Sequence, residues 1–175
     1  MYLDDFLKQY GSSVNLKKGE HAFYQGDSNS SLYFVVAGLL KAYYISLDGK
    51  ESIKSFIKPK NIIGSLSVLQ DNGVCSFNLV ALEQTQLIRL PLYMLIEASS
   101  QFHSLSQQLV NILIELSMKK EQREYDFLTL SAEDRLLKFR NAEPELYEKL
   151  TQIDVAKHIG ITPVALSRIK RRLQI

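Results

Sequence analysis

Residues 151–173 constrain this chain more than any other stretch: Thr-Gln-Ile-Asp-Val-Ala-Lys-His-Ile-Gly-Ile-Thr-Pro-Val-Ala-Leu-Ser-Arg-Ile-Lys-Arg-Arg-Leu. They read as two short helices around a glycine turn. Thr151 with Asp154 three residues on is a capping-box pattern that opens the first helix. Ile153, Ala156 and Ile159, or alternatively Val155 and Ile159, supply an apolar stripe at helical spacing, and Ala156 is small enough to let a second helix come close. Gly160 stands where the first helix must end in a left-handed conformation that glycine adopts cheaply. Thr162 is a good N-cap, Pro163 suits the first helical position, and Leu166, Ile169 and Leu173 form an inner face. The outer face is then Thr162, Pro163, Ala165, Ser167, Arg168, Lys170, Arg171 and Arg172. A polar, cationic helix of this kind is what entry into the major groove of DNA requires.

An αα-hairpin with a solvated basic face would share the charge pattern. It would not need the small residue, the turn glycine and the capped second helix at fixed offsets. Net charge agrees with a DNA-facing role. Residues 151–175 hold five Lys/Arg and one acid, a net +4, within a chain of net +2, which leaves −2 for residues 1–150. Positive charge is therefore concentrated in the segment that would meet phosphates.

Upstream, residues 2–10 read as a short helix, with Leu3, Phe6, Leu7 and Tyr10 on one face. From Val14 to about Leu92 the pattern becomes short strands between turns: His21–Tyr24, Ser31–Ala37 ending at Gly38, Leu39–Leu47, Ser52–Ile57, Phe77–Leu82 and Thr85–Leu90. Asp48-Gly49 is the strongest hairpin signal. Residues 65–69 read as one helical turn. Strands at this spacing predict a small antiparallel barrel or jelly roll. The whole chain is then α+β.

From Pro91 the period returns to helix. A short helix over Leu92–Ala98 precedes a long one from Ser99 or Ser100 to Asp126, about 40 Å at ~1.5 Å per residue. Phe102, Leu105, Leu109, Ile112 and Leu116 follow a coiled-coil-like seam, with Val110, Leu113 and Ile114 widening it. The seam could pack the helix on its own barrel. The helix is long for so small a barrel, which favours pairing with a second copy. Ser131 and Asp134 form another capping box, opening a helix that Ala142-Glu-Pro144 interrupts. The domain expectation is a barrel over 1–98, a long helix over 99–126 and a helix-turn-helix unit over 127–175, hinged between Tyr125 and Ser131.

No apolar run approaches the ~18 residues of a membrane helix. The acidic start Met1-Tyr-Leu-Asp-Asp-Phe lacks the pattern of a signal peptide, so a cytoplasmic location is expected. A single cysteine, Cys75, excludes an internal disulfide and a multi-cysteine iron–sulfur cluster. Its apolar neighbours Val74 and Phe77 favour an inert residue over a redox sensor. His21, His103 and His158 match no ligand spacing, so no metal and no cofactor are expected. There is no nucleophile–base pair, phosphate loop or carboxylate cluster, which argues against an enzyme.

In this order the chain resembles the cyclic-AMP receptor / fumarate-nitrate regulator (Crp/Fnr) family over nearly its whole length. The resemblance rests on Lys18-Gly19-Glu20, Gly26-Asp27, Leu32–Gly38, Asp48-Gly49-Lys50, Ile63-Gly64, Glu133-Asp-Arg-Leu136 and Ile153–Ile169. It implies a cyclic-nucleotide-binding-like jelly roll, a long dimerisation helix and a helix-turn-helix. It further implies a homodimeric transcription regulator, with double-stranded DNA and RNA polymerase as partners and no membrane. Arg168 matches the family arginine that reaches a guanine edge. The family's nucleotide pocket does not carry over intact. A Gly-Glu pair that grips the ribose hydroxyl reads Gly64-Ser65 here, and an Arg-Ser pair that neutralises the phosphate reads Cys75-Ser76. A buried phosphate without a cation is costly; Lys58 and Lys60 are the nearest substitutes in sequence. Control by cyclic AMP is therefore not expected, and the effector is unassigned. The β-hairpin wing that commonly follows the recognition helix in the family is expected to be missing, since the sequence stops at Ile175. The competing expectation is an effector-sensing or protein-interaction module whose helix-turn-helix does not bind DNA.

Overall fold

A computed structural model describes residues 1–70 and 73–175. The chain divides into two compact units, Met1–Ile112 and Leu113–Ile175. Among the described residues no helix is long and apolar enough to cross a membrane.

The first unit opens with helix α1 (Leu3–Tyr10) and continues through strands β1 (Ser12–Leu16), β2 (His21–Phe23), β3 (Ser31–Ala37), β4 (Leu40–Ile45), β5 (Glu51–Ile57) and β6 (Ile62–Ile63). A 3₁₀ turn over Leu66–Leu69, then β7 (Asn78–Ala81) and β8 (Thr85–Pro91), complete the strand region. Two antiparallel four-stranded sheets result, in the orders β1-β8-β3-β6 and β2-β7-β4-β5. Alternation explains the core: Tyr33 and Val35 of β3, Leu40 and Ala42 of β4, Leu79 of β7 and Leu87 of β8 face one shared interior. The β4–β5 hairpin turns at Gly49 (φ +78°), closed by Ser46 and Lys50. Gly38 is fixed twice over. Its φ is +95°, and an added Cβ would lie 2.4 Å from Thr85 Oγ1 and 2.7 Å from the Gln84 carbonyl. This is the jelly roll expected of the strand pattern.

Helix α2 (Leu92–Gln101) and helix α3 (His103–Thr129) follow. The break between them lies at Phe102, whose extended backbone (φ −117°, ψ 101°) ends α2 three residues beyond the expected Ala98. The second unit holds the end of α3, then α4 (Ala132–Ala142), α5 (Pro144–Lys149), α6 (Gln152–Ile159) and α7 (Pro163–Leu173). Its core is Leu136, Leu146, Tyr147, Leu150, Val155, Ala156, Ile159 and Leu166.

The seam on α3 also has contacts within its own chain. Phe102, Leu105, Leu109 and Ile112 pack against Leu3, Phe6, Leu7, Leu90, Leu95 and Ala98 of the same chain, and Leu105 is fully buried. The seam expected to pair two copies thus rests in part on α1, α2 and β8 of its own chain, with Phe102, Leu109 and Ile112 left half-buried. Polar bonds pin α1 down: Leu3 N–H donates to Gln108 Oε1 (2.7 Å), and Ser104 Oγ donates to the Met1 carbonyl (2.9 Å). Leu116 is half-buried, in the second unit. The bare apolar side of α3 is Val110, Leu113, Ile114 and Met118, each at least half exposed.

Candidate nucleic-acid interface

The caps of α6 and α7 form as the residues dictate. Thr151 Oγ1 accepts the Asp154 N–H (3.1 Å) and donates to its carboxylate (2.8 Å). Gly160 ends α6 in the left-handed region (φ 80°, ψ 31°), with the Ile161 N–H reaching back to the Ala156 carbonyl (3.0 Å). Thr162 Oγ1 accepts the Ala165 N–H (3.2 Å), and Pro163 opens α7. On α6 the buried stripe draws on both alternatives: Val155, Ala156 and Ile159 are buried, while Ile153 is 53% exposed.

Gly160 also permits a close approach, since an added Cβ would stand 2.6 Å from Phe127 of α3. Two guanidiniums lie against that ring, Arg123 Cζ 4.7 Å and Arg135 Cζ 4.8 Å from its centre. Arg123 donates to the His158 carbonyl (3.1 Å) and Arg135 to the Ile159 carbonyl (3.0 Å). Cations thus meet the carbonyl end of α6, where the helix dipole favours them. Arg123 Nη1 also lies 3.5 Å from His158 Nδ1, and an arginine can only donate. Burial, and then this neighbouring charge, push the His158 ring down to about 3, so it is neutral with Nδ1 as acceptor. Nothing in the local sequence pattern points to this clamp.

Helix α7 sorts the expected DNA-contacting residues into two groups. Thr162, Pro163, Ser167, Arg168 and Arg171 are exposed. Ala165 and Lys170 are half-buried, and Lys170 donates to Gln152 of α6 (3.0 Å) beside the Tyr147 ring. Arg172 is exposed but ion-paired to Glu133 of α4. The outward row therefore runs Ser167, Arg168 and Arg171. Val164, which charge-based reading passes over, joins it at 62% exposure. Its angular position could have revealed it: at about 100° per residue it lies opposite the buried Leu166.

In the first unit, Gly64-Ser65 and Cys75-Ser76 do meet. Ser65 is buried, and its Oγ accepts the Ser76 N–H (3.0 Å) and lies 2.8 Å from Ser67 Oγ. Those hydroxyls satisfy one another, and no cation stands in the Cys75 position. The Cys75 thiol is buried and donates to the Asn29 carbonyl (3.4 Å); burial pushes it up from its ordinary value. Phe77 fills the adjoining interior, its ring 5.2 Å from Phe23 and 6.3 Å from Tyr44. Lys58 and Lys60 stand on the exposed turn after β5. Among the described residues no acid–histidine–cysteine group could hold a metal ion.

Comparison with known proteins agrees with this architecture. Residues 13–101 match the cyclic nucleotide-binding domain family. The chain is 30% identical to the transcriptional activator protein Anr of Pseudomonas protegens, covering 98% of this chain and 73% of that protein. It is 28% identical to an anaerobic regulatory protein of Haemophilus influenzae, covering 91% of this chain and 65% of that one, just under two thirds of its length. Among solved structures, FixK2 from Bradyrhizobium japonicum superposes with a TM-score of 0.79 at 16% identity, over 94% of this chain and 84% of its own. The c-di-GMP-responsive global regulator CLP of Xanthomonas campestris gives 0.80 at 16% identity, over 98% and 90%. These structural likenesses establish the fold.

Proposed function

Since the chain belongs to the Crp/Fnr family of regulators, we propose that it is a sequence-specific DNA-binding transcription regulator that works as a homodimer and has no enzymatic activity. The observation that carries this is the outward row of α7: a capped helix with Ser167, Arg168 and Arg171 free of the core at its exposed face. The N-terminal part of such a helix meets base edges and its later cations meet phosphates. Dimerisation runs through the uncovered face of α3, Val110, Leu113, Ile114 and Met118, with a second copy as occupant. Two recognition helices would then meet successive major-groove segments, with RNA polymerase as the downstream partner and the cytoplasm as the place of action. The chain spans just under two thirds of the length of the Haemophilus influenzae relative.

The barrel is proposed to be indifferent to cyclic AMP. A cyclic phosphate would have to displace the Ser65–Ser76 bond and enter with no arginine at Cys75. The test of the function is genome-wide mapping of bound DNA, followed by binding of the recovered fragments to purified protein. Enrichment of a shared, two-fold-related sequence is the expected result. Binding that never distinguishes these fragments from scrambled DNA overturns it and leaves the non-DNA-binding module as the better reading.

A further inference from the structure

Val164 has no role in the core and carries no charge, yet it occupies the most outward line of α7. Ser167 and Arg168 follow it three and four residues later and Arg171 seven later, so the four form one continuous row. It is the second residue of the helix, directly after Pro163. The first turn of a recognition helix is the part that reaches base edges. Valine is also a modest helix former, so an exposed first-turn site gains little from it locally.

The electrostatics of that turn are unusual for this unit. α4, α5 and α6 each carry an acid in the first turn, namely Glu133 and Asp134, Glu145, and Asp154, where the helix dipole favours negative charge. α7 carries none. A carboxylate there would accept from cytosine N4. An isopropyl group can neither donate nor accept, and the one apolar feature on a major-groove edge is the thymine C5-methyl.

We propose that Val164 is a specificity-determining residue that reads a thymine methyl, setting one T·A position in each half-site beside the guanine read by Arg168. The proposal rests on the reading of α7 as a recognition helix. It divides labour along the row: Val164 selects by methyl contact, Arg168 by paired hydrogen bonds, and Arg171 adds affinity through phosphate.

The test begins with selection of bound duplexes from a random library by the wild-type chain and by Val164→Ala and Val164→Glu. The wild type enriches a T·A position that Val164→Ala relaxes and Val164→Glu converts toward cytosine. In the selected operator, deoxyuridine in place of that thymidine removes the methyl and nothing else. It should weaken the wild type roughly fourfold per half-site, the worth of one buried methyl group of ~0.8 kcal/mol, and leave Val164→Ala nearly unchanged. Specific enrichment with no effect of uracil at any thymine overturns the proposal while leaving DNA reading intact. Failure of the wild type to enrich any sequence overturns the DNA-reading function and this proposal together.

Discussion

At the scale of single residues, the second unit sets its cations to different tasks. Arg168 and Arg171 point outward, whereas Arg172 is paired with Glu133 and Lys170 with Gln152. Arg168→Ala should therefore collapse the preference for a specific over a scrambled operator by roughly 1–3 kcal/mol, leaving nonspecific binding largely intact. Arg171→Ala should weaken both DNAs alike and flatten the salt dependence by about one unit of slope. Titrations on both duplexes at several salt concentrations separate the two, and identical behaviour would remove Arg168 as a base reader. His158 gives a second residue-scale expectation. Its folded value, about 3, lies below the ordinary 6.5, so its contribution to stability is complete above pH 6.5 and is lost as pH falls toward 3. The slope attributable to it is up to about 1.4 kcal/mol per pH unit. Urea unfolding at stepped pH should show wild type losing stability faster than His158→Gln between pH 6.5 and 4. Parallel curves would mean that the ring is not held neutral by the Arg123 clamp.

At the scale of elements, α3 has two apolar sides with different duties. One packs on α1, α2 and β8, and the other is bare. Leu105→Ala should cost about 2–5 kcal/mol of stability by leaving a cavity in the first unit. Ile114→Asp with Met118→Asp should leave folding intact and convert dimers to monomers in sedimentation runs. A doubly substituted protein that stays dimeric would exclude this face as the interface. The seam was legible as a seam, because steps of three and four residues are written in the chain. Its partner was not, because α1 lies about a hundred residues away in sequence, and only folding brings Ser104 to Met1. The same distinction explains α6, where two overlapping stripes fit helical spacing and the packing buried Val155 rather than Ile153.

At the scale of the whole molecule, the barrel keeps the fold of the cyclic nucleotide-binding domain family, with Ser65 and Cys75 meeting inside it. Calorimetry with cyclic AMP should detect no micromolar binding; a micromolar dissociation constant would contradict the packed Ser65–Ser76 and Phe77 interior. Restoring the two family groups through Ser65→Glu with Cys75→Arg should strengthen whatever weak binding exists. Sequence alone determined the features whose physics closes within a few residues: the caps at Ser131, Thr151 and Thr162, the left-handed Gly160, the Asp48-Gly49 hairpin and the strand alternation. Each needs only a hydroxyl near an N–H, a residue free to take positive φ, or a period of two. Tertiary structure decided which apolar face of α3 is spent inside the chain, and which cations of α7 remain outward. Those outcomes depend on partners far along the chain, such as Glu133 for Arg172, 39 residues apart, and Phe127 for Gly160. A helical period specifies a face but not its neighbour, and a charge count cannot tell a solvated guanidinium from one already bound to a carboxylate.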